Sequence, residues 1–233
     1  MRIVGCEILH CNAGWRDFSF LKLMTDENIT GISEYNECYG SPGLSGIIRR
    51  LVERVKDMDP LAHEHIHQCL YAATRQAPGG VNQQAIAAIE NALLDIKGQA
   101  LNIPVYDILG GAIRKEIPVY WSHCGTYIWR PEIAELCEVE AIRKAEDLIK
   151  LGKRVKDQGF LGLKTNMITF NEDVEASLYM PGTAGRPGWP DLNVPSSLIG
   201  QLRDQLIAMQ ELSLIHISEP TRPLYISYAV FCL

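Results

Sequence analysis

Long apolar runs are missing from this sequence. Nothing in it approaches the roughly 18 consecutive apolar residues that suggest a membrane span, so no membrane partner is expected. A basic excess is missing too. Lys and Arg number 22 against 28 Asp and Glu, a net charge of −6, which removes the positive footprint of a nucleic-acid-binding surface. Apart from Arg49-Arg50 the cations are scattered, and nucleic acid is not an expected partner. Cysteine occurs seven times, an odd count, and never as C-x-x-C. Disulfide frameworks belong to short secreted chains, so these are read as reduced, mostly buried thiols. Met1-Arg2-Ile3 runs directly into strand-like residues with no signal-peptide pattern. A cytoplasmic protein is the expectation.

His63-Glu64-His65-Ile66-His67 has the H-E-x-x-H spacing, with two histidines one helical turn apart, but no third ligand is identified beside it. A zinc site needs a third ligand and supporting groups, so the segment is read as a solvated helix face. No metal ligand is assigned to this chain.

What is present is ordinary globular material, 47% hydrophobic and 21% charged, in a length that suits one large or two modest domains. Residues 2–11, 18–24 and 29–35 are rich in β-formers, with Thr25-Asp26-Glu27-Asn28 as a turn, and predict a small antiparallel sheet. A helix is expected over 43–58, stopped by Asp59-Pro60, and another over 61–74. The strongest helical pattern is 82–99. Ile86, Ile89, Leu93 and Ile96 share one face, and Ala85, Ala88 and Ala92 beside them permit close approach. Pro104 can open a short helix that Gly110-Gly111 closes.

After residue 113 the rhythm changes. A strand is expected over 117–123, a helix over 139–158, a strand over 161–168 and a helix over 196–211. Such alternation implies parallel strands with crossover helices. Between Phe170 and Pro195 a long loop rich in proline and glycine is expected.

Residues 85–111 read A-I-A-A-I-E-N-A-L-L-D-I-K-G-Q-A-L-N-I-P-V-Y-D-I-L-G-G. This resembles the signature helix of the mandelate racemase and muconate lactonizing enzyme family of the enolase superfamily. Leu94 stands where that family usually carries tryptophan, a change of core residue. Residues 25–34, T-D-E-N-I-T-G-I-S-E, resemble the family's turn from second to third strand. The resemblance covers about residues 1–211. It implies an α+β capping domain at 1–113, followed over 114–211 by an incomplete (β/α) barrel, its first two β/α units only. The last stretch, 212–233, resembles translated sequencing-adapter read-through. Its apolar, uncharged residues 224–233 have an aggregation-prone profile.

Enzymes of this superfamily abstract the proton alpha to a carboxylate, and a metal with cationic groups stabilises the resulting enolate. The resemblance implies Mg2+, whose acidic ligands are not among the residues of this chain. It also makes Lys164 the group that neutralises the substrate carboxylate. Asn166 stands where racemase-like members carry a second lysine. Asparagine cannot take a proton at neutral pH, so it can only hydrogen-bond. Strand alternation would put Lys164 and Asn166 on one face. Lys-x-Asn is similar to sugar-acid dehydratases, whose histidine base comes later in the barrel. In the capping domain, loops 12–17 and 36–43 correspond to segments that read the distal end of the substrate, with Trp15, Arg16 and Tyr39 as candidates. His123 and Cys124, ending the first barrel strand, are read as packing. The loop at 181–190 has no assigned role.

The expected function is therefore that of the N-terminal part of a magnesium-dependent sugar-acid dehydratase similar to galactonate dehydratase. Its partner is a small sugar acid, the full-length parent a homo-oligomer, and the chain as given inactive. The alternatives are a racemase or cycloisomerase of the same family, or a non-catalytic truncated interaction protein.

Overall fold

Along Asp17–Thr25 burial alternates residue by residue, with Ser19, Leu21, Leu23 and Thr25 inside. That is the period of a strand with one face on a core. The computed structural model of the chain describes residues 1–14, 16–38, 40–171, 174–179 and 196–213. These fall into two compact units, Met1–Lys115 and Glu116–Leu233.

In the first unit β1 (Ile3–Asn12), β2 (Asp17–Thr25) and β3 (Thr30–Tyr35) form an antiparallel sheet in the order β1-β2-β3. A register shift between Ile3 and Gly5 marks a bulge in β1. The turn between β2 and β3 places Asn28 at φ 61°, a left-handed conformation that asparagine tolerates. The Thr25 hydroxyl donates to the Ile29 carbonyl at 2.7 Å and tightens it.

Four helices follow: α1 (Leu44–Arg54), α2 (His63–Ala73), α3 (Gly80–Leu101) and the single turn α4 (Val105–Ile108). The expected apolar face of α3 is the centre of the core. Ala85, Ile86, Ile89, Ala92, Leu93 and Ile96 are each at most 1% exposed and pack with Leu21, Leu23, Ile48, Leu51, Ile66 and Leu70. Burial of that many full-sized side chains, at about 1.5–3 kcal/mol each, is the main stabilising term. Asn102 closes α3 at φ 51°, and Gly110 and Gly111, both at positive φ, close α4.

The free edge of β3 is covered by α3. Asp95 accepts the Ile32 amide at 2.8 Å, and Gln99 donates to the Thr30 carbonyl at 2.8 Å. An edge strand that would otherwise invite pairing is thereby occupied by side chains. Gly31 lies between them, its backbone pressed against the Ala92 carbonyl, where a Cβ would collide.

The second unit departs from the sequence reading in four places. The expected strand 117–123 shrinks to β4 (Tyr120–Trp121), followed by a 3-10 helix, Ser122–Trp129, and by α5 (Pro131–Leu136), which opens on proline. The expected helix 139–158 begins later, as α6 (Ala145–Asp157). Glu138 sits at φ 54° and so breaks any helix there, while Asp147 accepts the amides of Arg143 and Lys144 at 3.1 and 3.2 Å. These bonds satisfy orphan donors at the start of the helix.

The expected strand 161–168 is split into β5 (Gly162–Leu163) and β6 (Met167–Asn171). β4 and β5 pair in parallel, and the Lys164 amide adds one more bond to the Trp121 carbonyl at 3.0 Å. Beyond that point the backbone turns to a different partner, a side chain described below. The long loop expected from Phe170 to Pro195 contains β7 (Val174–Tyr179), which pairs antiparallel with β6. Helix α7 (Ser196–Ser213) closes the described chain and packs against α6, where Gly152 touches the Met209 backbone.

Candidate active site

Lys164 and Asn166 do not share a strand face, because residues 164–166 lie outside β5 and β6. Lys164 is half-buried immediately after the parallel ladder ends, and Asn166 is 5% exposed. The segment is held from α7 by Gln205, itself 4% exposed. The Gln205 amide nitrogen donates to the Asn166 carbonyl at 2.7 Å and to the Thr165 hydroxyl at 3.1 Å. Its oxygen accepts the Ile168 amide at 2.9 Å. Thr165 in turn donates to the Asn166 carbonyl at 2.9 Å. Sequence reasoning missed Gln205. The signal was a glutamine flanked by Leu202, Leu206 and Met209, an unusual place for a polar side chain unless it is paired.

Trp15 and Tyr39 lie outside the described residues. Arg16 is 22% exposed in its side chain and is occupied within its own unit. Its guanidinium pairs with Glu34 on β3 at 3.1 Å and stacks on the Phe18 ring at 3.9 Å. Loop 12–17 is braced by Asn12, whose amide donates to Asp17 at 2.6 Å and whose oxygen accepts the Gly14 amide at 2.9 Å. Loop 36–43 is tied down at both ends. Ser41 donates to Gln84 on α3 at 2.6 Å, and Ser45 donates to the Glu37 carboxylate.

Glu37 was not singled out from the sequence. Burial opposes its charge, but the Ser45 hydroxyl, the Ser45 and Gly43 amides and His10 outweigh burial and hold its carboxyl below its ordinary value near 4.5. The Tyr35 hydroxyl meets Ser45 at 2.7 Å, and burial pushes that phenol up. Glu37 thus anchors the loop to the start of α1. A carboxyl with a depressed native value contributes stability above its unfolded value and loses it as pH falls through the native one. Glu37→Gln is therefore expected to flatten the loss of stability of the first unit on acidification below about pH 4.5. Amide exchange at Ile48 across pH 3–6 checks this, and an unchanged acid limb refutes it.

The histidines of α2 do not form a solvated face. His67 meets Glu90 of α3 at 2.9 Å and His63 meets the Lys97 ammonium at 3.3 Å, while His65 is exposed. The side chains of His123 and Cys124 are outside the described residues. Among the described residues no three His, Cys, Asp or Glu side chains converge as a metal would require. The described residues by themselves do not assemble a magnesium site.

Residues 11–110 match the N-terminal domain of mandelate racemase / muconate lactonizing enzymes. The chain is similar to the mandelate racemase / muconate lactonizing enzyme family over that span. The matched residues make up most of its first unit. D-Galactonate dehydratase of Xanthomonas axonopodis pv. citri is 35% identical over 127 residues, 52% of this chain and 31% of the relative. The D-galactonate dehydratase of Pectobacterium atrosepticum is 39% identical over 108 residues, 43% and 26% of the two chains. A Burkholderia xenovorans protein provisionally designated an L-alanine-DL-glutamate epimerase, solved with magnesium and fumarate, is 36% identical and covers 91% of this chain and 51% of its own. A further structure of that protein superposes with a TM-score of 0.82 at 35% identity. The match spans about a third of the curated relatives and about half of the solved one. No helix among the described residues is long and apolar enough to cross a membrane.

Proposed function

We propose that this chain is the N-terminal portion of a magnesium-dependent enzyme that removes the proton alpha to the carboxylate of a sugar acid and expels the beta-hydroxyl. The observation that carries this reading is Lys164, fixed one residue past the parallel β4–β5 ladder, with a buried Asn166 two residues on. Side chains at strand ends are where barrel enzymes place their chemistry. Lys164 supplies a fixed cation to the substrate carboxylate, a charge-assisted contact. Asn166 can orient a substrate oxygen but cannot serve as the base. The identity with D-galactonate dehydratases points to an aldonic acid as substrate. When bound, Mg2+ would supply charge stabilisation of the enolate, and its ligands would come from outside the residues described. The residues after 113 are read as the first two units of a barrel. Trp15, Arg16 and Tyr39 are retained as substrate-contacting residues, and the whole enzyme as a cytoplasmic homo-oligomer.

A second reading, epimerisation, is favoured by the likeness to the Burkholderia protein, which extends over nearly the whole chain. Two-base epimerisation needs a proton acceptor on each face, and Asn166 cannot be one of them.

Calorimetric titration of the full chain with D-galactonate, and separately with L-alanine-glutamate dipeptides, distinguishes the two. Galactonate is expected to bind, and Lys164→Ala to weaken it about tenfold or more, the worth of one charge-assisted hydrogen bond. Binding of the dipeptide alone overturns the dehydratase reading. With Mg2+ added, the chain by itself is expected to form no 2-keto-3-deoxy acid; turnover would sink that expectation.

A further inference from the structure

Gln205 does more than fill the α7 interface. A carboxamide has one acceptor and two donor hydrogens, and here both sides of it are used on the four-residue stretch Thr165–Ile168, on two backbone groups and the Thr165 hydroxyl. The donors reach Asn166 and Thr165, and the acceptor takes Ile168. The partners straddle Asn166 and adjoin Lys164. Residues 164 to 166 lie outside the strands on either side, the Lys164 amide bonding to the Trp121 carbonyl at 3.0 Å. Buried backbone groups left unpaired cost about 1–3 kcal/mol each, and the amide nitrogen and carbonyl concerned are both in a buried stretch, with Asn166, Met167 and Ile168 all under 9% exposed. An ordinary helix contact would be apolar at this position. A glutamine that satisfies neighbouring backbone groups from the next helix is the kind of support that fixes functional side chains within a fraction of an ångström.

We propose that Gln205 is the positioning residue for Lys164 and Asn166, locking the backbone that presents both side chains without itself meeting substrate. This rests on the reading of those two residues as substrate-binding groups. Its geometry does not: the clamp exists whatever the ligand is. Glutamate could keep the bond to Ile168 but would set a carboxylate against the Asn166 carbonyl. Methionine keeps the volume and removes every hydrogen bond.

The test uses the full chain, isotopically labelled, with D-galactonate as ligand. In Gln205→Met the Ile168 amide is expected to exchange at least tenfold faster, while Leu151 and Val155 of α6 keep their rates. The NMR signal of Lys164, read after reductive 13C-methylation, should move, which a loss of global stability alone would not cause. D-Galactonate affinity should fall tenfold or more. A folded Gln205→Met chain with unchanged Ile168 exchange, or with an unmoved Lys164 signal, overturns the proposal. Should that variant fail to fold, the wild-type protein decides. Contacts from the Gln205 side-chain protons to the Asn166 and Ile168 backbone, with slowed exchange of that carboxamide, support the clamp, and their absence overturns it. A wild-type chain with no affinity for galactonate would defeat the sugar-acid reading instead. The exchange and Lys164 measurements would still decide the role of Gln205.

Discussion

Gly31→Ala is expected to destabilise the first unit by about 3 kcal/mol or more, the upper end of what overpacking costs. A methyl group at this position would fall on the Ala92 carbonyl oxygen, and would also lie 2.8 Å from Ile96 Cγ1. The first obstacle is helix backbone, which cannot rotate aside as a side chain can. Relief requires β3 to retreat from α3, and that retreat stretches the Ile32–Asp95 and Thr30–Gln99 hydrogen bonds on either side. The ordinary benefit of replacing glycine, about 0.5–1 kcal/mol, is too small to offset this. Amide exchange at Leu21 and Ile89 reports the loss. Gly46→Ala on α1 is the control, since a Cβ there meets nothing within 4 Å, and it should be neutral or stabilising. A loss below about 1 kcal/mol at Gly31 would show that the strand can back away freely.

The contrast between Gly31 and its surroundings shows what the sequence could and could not reveal. The three strands and α3 were legible because their burial follows local periods, two for β2 and 3.6 for Ala85 to Ile96. Asn28 and the Gly110-Gly111 pair were legible as conformational punctuation. Gly31 sat inside an expected strand, and only the approach of α3, some sixty residues later, explains it. The site was legible in part. Lys164 and Asn166 stood out through a family resemblance, yet the inferred strand alternation around them was wrong. A lone segment cannot reveal that its backbone bonds go to a side chain on α7 instead of a neighbouring strand. Glu37 was hidden for a similar reason, since its carboxylate acts on the start of α1 beyond a loop. The histidines of α2 read as solvated because their partners, Glu90 and Lys97, lie on another helix. The misses at Gln205, His63 and His67 concern polar groups whose partners are far along the chain, where hydrophobic period carries no information.

That same long-range dependence makes Gly152 a second position of large effect, and one that connects packing with the site. Gly152 lies inside α6, where alanine would normally be the better helix former by about 0.8–1 kcal/mol. Here the sign reverses. A Cβ would stand 2.5 Å from the Met209 carbonyl oxygen and 3.1 Å from its Cα, so α7 must move outward or shift along α6. Overpacking of this kind costs about 1–3 kcal/mol, and a net loss of about 2 kcal/mol is expected for Gly152→Ala. Met209 is one helical turn beyond Gln205, so displacing it also draws the carboxamide away from Asn166 and Ile168. Faster amide exchange is therefore expected at Ile168 as well as in the two helices. Gly200→Ala, at a position of α7 where a Cβ meets nothing within 4 Å, should raise helix stability and leave Ile168 unchanged. If Gly152→Ala destabilises the helices but Ile168 keeps its protection, the clamp does not depend on how α7 is seated on α6. Loss of protection at Ile168 in step with the helices would mean that one glycine contact sets the conformation of the backbone between Lys164 and Ile168.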